Sequence, residues 1–224
     1  LIVPLRAWLG AADPAGLPAG LAEHAATRDW RPLDVRWGEW HAIGPFAARD
    51  VEAATPVDRE LRNMVPGGPG PDLARGHRGK GGEVAWRPLE LRGGGREMDV
   101  GVVRFDGLYA PDKSDPTRTR RAAAYLYRAV ELTSAARVEC LIGSDDGVRV
   151  WVNGGLVHER ETSKGIDLNE VPVSLELRGG VNHLLVKVAN EDGIWGVRLR
   201  NAGSLDPAAV DAAIERGVAW MLAR

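Results

Sequence analysis

Residues 143–154 read Gly143-Ser144-Asp145-Asp146-Gly147-Val148-Arg149-Val150-Trp151-Val152-Asn153-Gly154. An acidic turn leads into a strand in which Val148, Val150 and Val152 share one face, because successive strand side chains point to opposite sides. The strand closes at Asn-Gly, the strongest short hairpin signal. Upstream, Val138, Cys140 and Ile142 line one face of a preceding strand. Downstream, Val171, Val173, Leu175 and Leu177 do the same, followed by Leu184, Val186 and Val188. These faces are expected to meet as a core between two sheets.

A short strand over Trp40–Phe46, closed by Gly-Pro, is expected to begin the sandwich, and after the loop at 63–82 the predicted strands are 83–91, 98–105, 122–132, 136–142, 148–153, 156–159, 171–177, 183–189 and 194–200. A spacing of about ten residues with Gly, Asp or Asn punctuation is the pattern of an antiparallel β-sandwich. The composition agrees, with 28 Gly, 14 Pro and only 6% aromatic residues in 224. No alternation of strands with helices suggests a parallel sheet. Two stretches read differently: residues 1–36 as a helical arm and 201–224 as a linker into a helix. Asp206 caps that helix, Pro207 takes its first position, and Val210, Ile214, Val218 and Leu222 follow at helical spacing. The expected organisation is thus arm 1–36, sandwich 37–200 and helical segment 201–224. Residues 63–82, rich in Gly and Pro with Arg75, Arg78 and Lys80, read as a mobile surface loop with too little apolar surface to offset ordering.

Several function classes drop out. A formal charge of −2 gives no global reason to expect nucleic acid or an anionic membrane as partner. No run approaches the roughly 20 apolar residues of a membrane span. The chain opens without Met or a positively charged leader, as a processed product or excised fragment would. The one cysteine, Cys140, allows neither an intrachain disulfide nor a cysteine metal site. The five histidines form no metal-spaced pair, and there is no Gly-x-Ser-x-Gly elbow. Gly76–Gly81 lacks the spacing and the Ser/Thr of a phosphate loop.

The run 143–159 together with 173–188 resembles galactose-binding-like and PA14-like β-sandwich modules, and is similar to the sugar-binding jelly roll of family 2 glycoside hydrolases. Accessory domains of large planctomycete-type secreted proteins share a Trp-x-x-Ile-Gly-Pro-Phe opening, here Trp40–Phe46, and a closing Trp-Gly, here Trp195-Gly196. Residues 213–222 look like the first helix of an α/α-toroid domain. The resemblance implies an all-β, galactose-binding-like jelly roll in an extracellular or periplasmic protein, with carbohydrate or neighbouring domains as partners.

In PA14-like lectins such an Asp pair holds Ca²⁺ against sugar hydroxyls, which would make Asp145 and Asp146 metal ligands, with Asn153, Asp167 and Asp192 within reach from other loops. The same residues also read as a plain turn with an Asx hydrogen bond. Trp151 lies on the face opposite the valines, as an exposed stacking platform for a sugar or as a side chain buried under a covering loop. Trp195 is a second aromatic candidate or a core plug. Asn153 is a ligand candidate, or simply the residue that a type I′ turn requires. The expected function is a non-catalytic carbohydrate-binding or accessory module, with calcium as the candidate cofactor. The alternatives are a structural domain that orients its neighbours, and an accessory domain completing the active site of an attached enzyme.

Overall fold

A computed structural model describes residues 35–89, 102–110, 116–161 and 170–201, all within the unit Asp34–Gly203. The predicted N-terminal arm, the C-terminal helix and Asp167 lie outside the described residues. Thirteen strands are present among the described residues: β1 (Val35–Trp37), β2 (His41–Ala47), β3 (His77–Gly79), β4 (Gly82–Val84), β5 (Arg87–Pro88), β6 (Val102–Arg104), β7 (Ala122–Leu132), β8 (Ala136–Asp145), β9 (Val148–Val152), β10 (Gly155–Arg160), β11 (Val171–Leu177), β12 (Gly180–Asn190) and β13 (Gly196–Asn201). A single-turn helix, α1 (Phe105–Tyr109), follows β6, where the end of a strand was predicted.

Seven strands form one sheet in the order β10-β9-β12-β7-β2-β5, with β1 also paired to β7. Four form the second, β11-β8-β13-β6, and β3-β4 is a separate hairpin. Every pairing is antiparallel. The longest, β12 on β7, runs in unbroken register from Gly180 opposite Leu132 to Asn190 opposite Ala122.

Between the two sheets lies the main core, and it is the one the alternation predicts. Val148, Val150, Val152, Leu184, Val186 and Val188 of the larger sheet pack with Val138, Cys140, Ile142, Val173, Leu175 and Leu177 of the smaller. Each such side chain, fully buried, contributes roughly 1.5–3 kcal/mol. Arg128 is the exception. It is buried on the same face as Leu126 and Val130, and its guanidinium donates to the Gly38 carbonyl from Nε (2.9 Å) and a terminal nitrogen (2.6 Å). It sits over the rings of Trp37 and Trp40, 5.0 and 4.8 Å from their centroids, and burial lowers its pKa to about 10.

The larger sheet is buried on its other face as well. There Ile43, Phe46, Tyr125, Tyr127, Trp151 and Leu185 form a second cluster, roofed by Val57, Met64 and Trp86 from the segment that links β2 to β5. Residues 63–82, predicted as a mobile surface loop, are therefore part of a packed cover. Their few apolar side chains suffice because the sheet supplies the aromatic surface.

Polar tethers from the sheet complete the attachment. The buried Lys187 ammonium donates to the Ala53 carbonyl (2.7 Å) and pairs with Asp58 (3.3 Å). Burial pulls its pKa below 10.5, and Asp58 opposes that pull. Asp58 also accepts from the Tyr125 hydroxyl (2.9 Å) and the Thr55 amide (2.7 Å). His183 bridges the Tyr127 hydroxyl (2.8 Å) and the Gly68 carbonyl (3.1 Å), and burial lowers its pKa below 6.5. Gly70 lies directly over this pair, at φ 74° and with room for no Cβ, since one would sit 2.5 Å from the Tyr127 oxygen.

Met64, on the inner side of the cover, is fully buried. Met64→Ala is expected to cost about 2–4 kcal/mol in chemical denaturation, as for other buried large-to-small changes. A surface-like cost below about 0.5 kcal/mol would contradict the packed cover.

Candidate functional site

The strand ends place three loops side by side at one end of the sandwich. Because β12 ends at Asn190 opposite the first residue of β7, Ala122, the loop 191–195 adjoins 117–121. Because Val188 lies opposite Val148, the 145–147 turn joins the same group. The backbone locks them together. The Ala189 amide donates to the Gly147 carbonyl (2.9 Å), the Arg121 amide to the Glu191 carbonyl (3.0 Å), and the Ala48 amide to the Arg121 carbonyl (3.0 Å). Asn190 adds a side-chain bond to the Thr119 carbonyl (2.7 Å).

Asp146 occupies the turn at φ 48°, in the left-handed region that Asn, Asp and Gly tolerate best. Its carboxylate accepts the Glu191 amide at 2.7 Å, across to the neighbouring loop. Burial pushes the Asp146 carboxyl above its usual value of 3.8. The Glu191 amide opposes this, and the adjacent Asp145 charge adds to it. The next residue is Gly147 because a Cβ there would meet the Glu161 carbonyl at 2.7 Å and the Val51 Cβ at 2.9 Å. Asp145 is half-buried at the end of β8, and its charge acts on Arg104 from across β13. Asp192 is exposed, ion-paired with Arg120 at 3.4 Å, and caps the Gly193 amide at 2.8 Å. Ile194 beside it is 53% exposed.

The other sequence candidates do not join them. Trp151 is only 7% exposed and sits under the cover in the outer aromatic cluster, so it offers no open stacking face. Trp195 is fully buried. Its rings pack on Phe105 (5.1 Å) and Tyr109 (5.9 Å) and its indole nitrogen donates to Val188 (3.3 Å), which makes it a core plug. Asn153 holds the β9–β10 turn at φ 52°, at the far end of β9 from Asp146. Its side chain is committed to Asn182 (2.8 Å) and to the His183 amide (2.9 Å).

Among the described residues, Asp145 and Asp146 are not joined by a third acidic, His or Cys ligand atom within 4.8 Å. Asp146 spends one oxygen on Glu191, and Asp192 is turned to Arg120. Among the described residues, the one metal-like acidic group is elsewhere. Glu52, Glu159 and Glu161 bring oxygens within 4.8 Å of one another on the surface. Arg149 already supplies a cation there, bonded to Glu159 and 3.4 Å from Glu52. No sequence spacing signals this group, because its members come from two distant segments.

Sequence reading also missed an open cleft at the same loop end, about 360 Å³ in volume and lined by Lys80, Thr117, Arg120 and Arg121. Among the described residues, Arg121 joins Asp146 and Asn153 as a non-glycine residue with a left-handed backbone, at φ 47°. Among the described residues, no helix is long and apolar enough to cross a membrane.

No protein-family model and no curated protein matches the chain. Among solved structures it is similar to the PA14 sugar-binding domain of an RTX adhesin, with 22% identity over 49% of this chain and 69% of that one, at a TM-score of 0.32. It is similar also to the PA14 domain of the antifreeze protein MpAFP, with 12% identity over 80% and 89% of the two chains, at 0.40. A GH31 alpha-xylosidase from Xanthomonas citri matches 80% of this chain with 16% of its own, at 12% identity and 0.36. The antiparallel β-sandwich itself rests on the observed strand order and pairing of this chain.

The Asp146 geometry separates two substitutions. Its pKa is raised in the folded state, so ionisation opposes folding above pH 3.8. Asp146→Asn keeps the acceptor and tolerates the backbone. It is expected to match or exceed the native melting temperature at pH 7, an advantage that fades as pH falls towards 3.8. Asp146→Ala loses both the bond and the backbone preference and should cost about 1–2 kcal/mol. Equal melting temperatures for the two variants would contradict this account of the turn.

Proposed function

We propose that this domain is a non-catalytic carbohydrate-binding module of a larger secreted protein, and that it takes its glycan at the loop end carrying Asp145, Asp146, Asp192 and Arg120. The observation that supports the reading is the convergence of three loops there, which set carboxylate acceptors and guanidinium donors beside the exposed Ile194. Sugars present vicinal hydroxyls that both donate and accept, and charged partners make the stronger hydrogen bonds to them. With Trp151 and Trp195 buried in the fold, the contact is polar and correspondingly weak. This reading works through the side chains directly, and the chelator arm of the test below decides whether calcium assists at Asp145 and Asp146.

A second reading, a structural domain that orients its neighbours without binding a small ligand, is favoured by Leu156 and Val157. They stand 52% and 39% exposed on the sheet-edge strand β10. Affinity gel electrophoresis against a polysaccharide panel, with and without EDTA, separates the two. Retardation is expected for at least one polysaccharide, insensitive to EDTA and lost in the Asp145→Ala/Asp192→Ala double variant. Uniform lack of retardation would favour the structural reading, and loss on chelation would restore calcium to the site.

A further inference from the structure

We infer that the cleft beside the Asp145–Asp146 turn is an anion subsite, and that the glycan taken here carries a carboxylate or sulfate group. This rests on the carbohydrate reading above and adds the charge of the ligand to it. The described residues that line it, Lys80, Thr117, Arg120 and Arg121, are three cations and a hydroxyl. Lys80 donates its ammonium to the Arg120 carbonyl and its amide to Pro45 (2.7 Å), which fixes one wall. Arg120 is tied to Asp192 at 3.4 Å, on the loop whose Glu191 amide donates to Asp146.

Arg121 is the decisive residue. Its φ of 47° is one that glycine adopts at no steric cost and that a long side chain rarely takes. Bonds from its amide to Glu191 and from the Ala48 amide to its carbonyl pin the backbone in that conformation. Among the described residues its guanidinium makes neither a hydrogen bond nor an ion pair. Folding gains nothing visible from an arginine here, since glycine would relieve the backbone. What the arginine supplies is a planar fork of donors at the cleft, and that fork matches carboxylate or sulfate oxygens two at a time. An outlier of this type, held by its surroundings, points to function rather than to stability. The cleft, at about 360 Å³, is within the range of small-ligand sites and larger than a bare oxyanion needs, so a sugar ring enters with its acid group.

The test is amide NMR titration of the full chain with sodium glucuronate, glucose and sodium sulfate, each alone. Glucuronate should shift Thr117, Arg120 and Arg121 and bind at least about tenfold more tightly than glucose, the scale of one charge-assisted bidentate contact, and more tightly than sulfate, which makes that contact without a sugar ring. Arg121→Gln and Arg121→Gly should both lose that tenfold. Arg121→Gly should in addition melt at a higher temperature than the native chain, and Arg121→Lys should keep part of the affinity. Equal binding of glucuronate and glucose, unchanged in Arg121→Gly, overturns the anion subsite and leaves the carbohydrate reading standing. Sulfate as tight as glucuronate, with no binding of glucose, overturns the sugar component and keeps the anion site. No shift with any of the three probes overturns the inference.

Discussion

The eleven-residue register of β12 on β7 is the constraint on which the rest of this domain depends. It sends Leu184, Val186 and Val188 towards the second sheet and Leu185 to the opposite side, where the aromatic cluster requires a roof of its own. A sheet apolar on both faces cannot stand as one half of a simple two-layer sandwich, because an uncovered aromatic face would be a large exposed patch. The segment 48–86 provides the covering layer. Its hold on the sheet is polar as much as apolar, through Lys187 to Ala53 and Asp58 and through His183 to Gly68.

That cover redistributes the functional candidates. With Trp151 beneath it and Asn153 locked to Asn182 and His183, the far turn and the broad sheet face are occupied by structure. Of the sequence candidates, Asp146 and Asp192 lie at the end where β7 begins and β12 finishes. There the acidic turn and the cationic cleft lie side by side, joined by the Arg120–Asp192 pair. Such an end can read charge and hydroxyl pattern, whereas it has little aromatic surface for stacking.

Much of the fold was legible in the sequence because the sheet period is local. The spans predicted for β7 and β11, 122–132 and 171–177, coincide with those observed, and the four apolar faces meet as expected. Residues 63–82 were misread because their order depends on Tyr125, Tyr127 and His183, partners far along the chain that no window of local composition contains. Trp151 was assigned to the correct face, but whether that face was open lay in the same distant segment. Asp145 and Asp146 were legible as a turn from their own residues. Arg121 was not, since a left-handed arginine leaves no mark in sequence and its cleft is assembled from separate loops.

The packed cover is the claim from which the placement of the site follows, and hydrogen exchange measures it most directly. Its amides are bonded onward, Gly67 to Val181, Gly68 to Val65 and Lys80 to Pro45. Exchange at these positions is predicted to be slowed by orders of magnitude relative to an unstructured peptide. Exchange at the unprotected rate throughout residues 64–82, with β7 and β12 still protected, would contradict the account and return Trp151 to the list of surfaces open to a ligand.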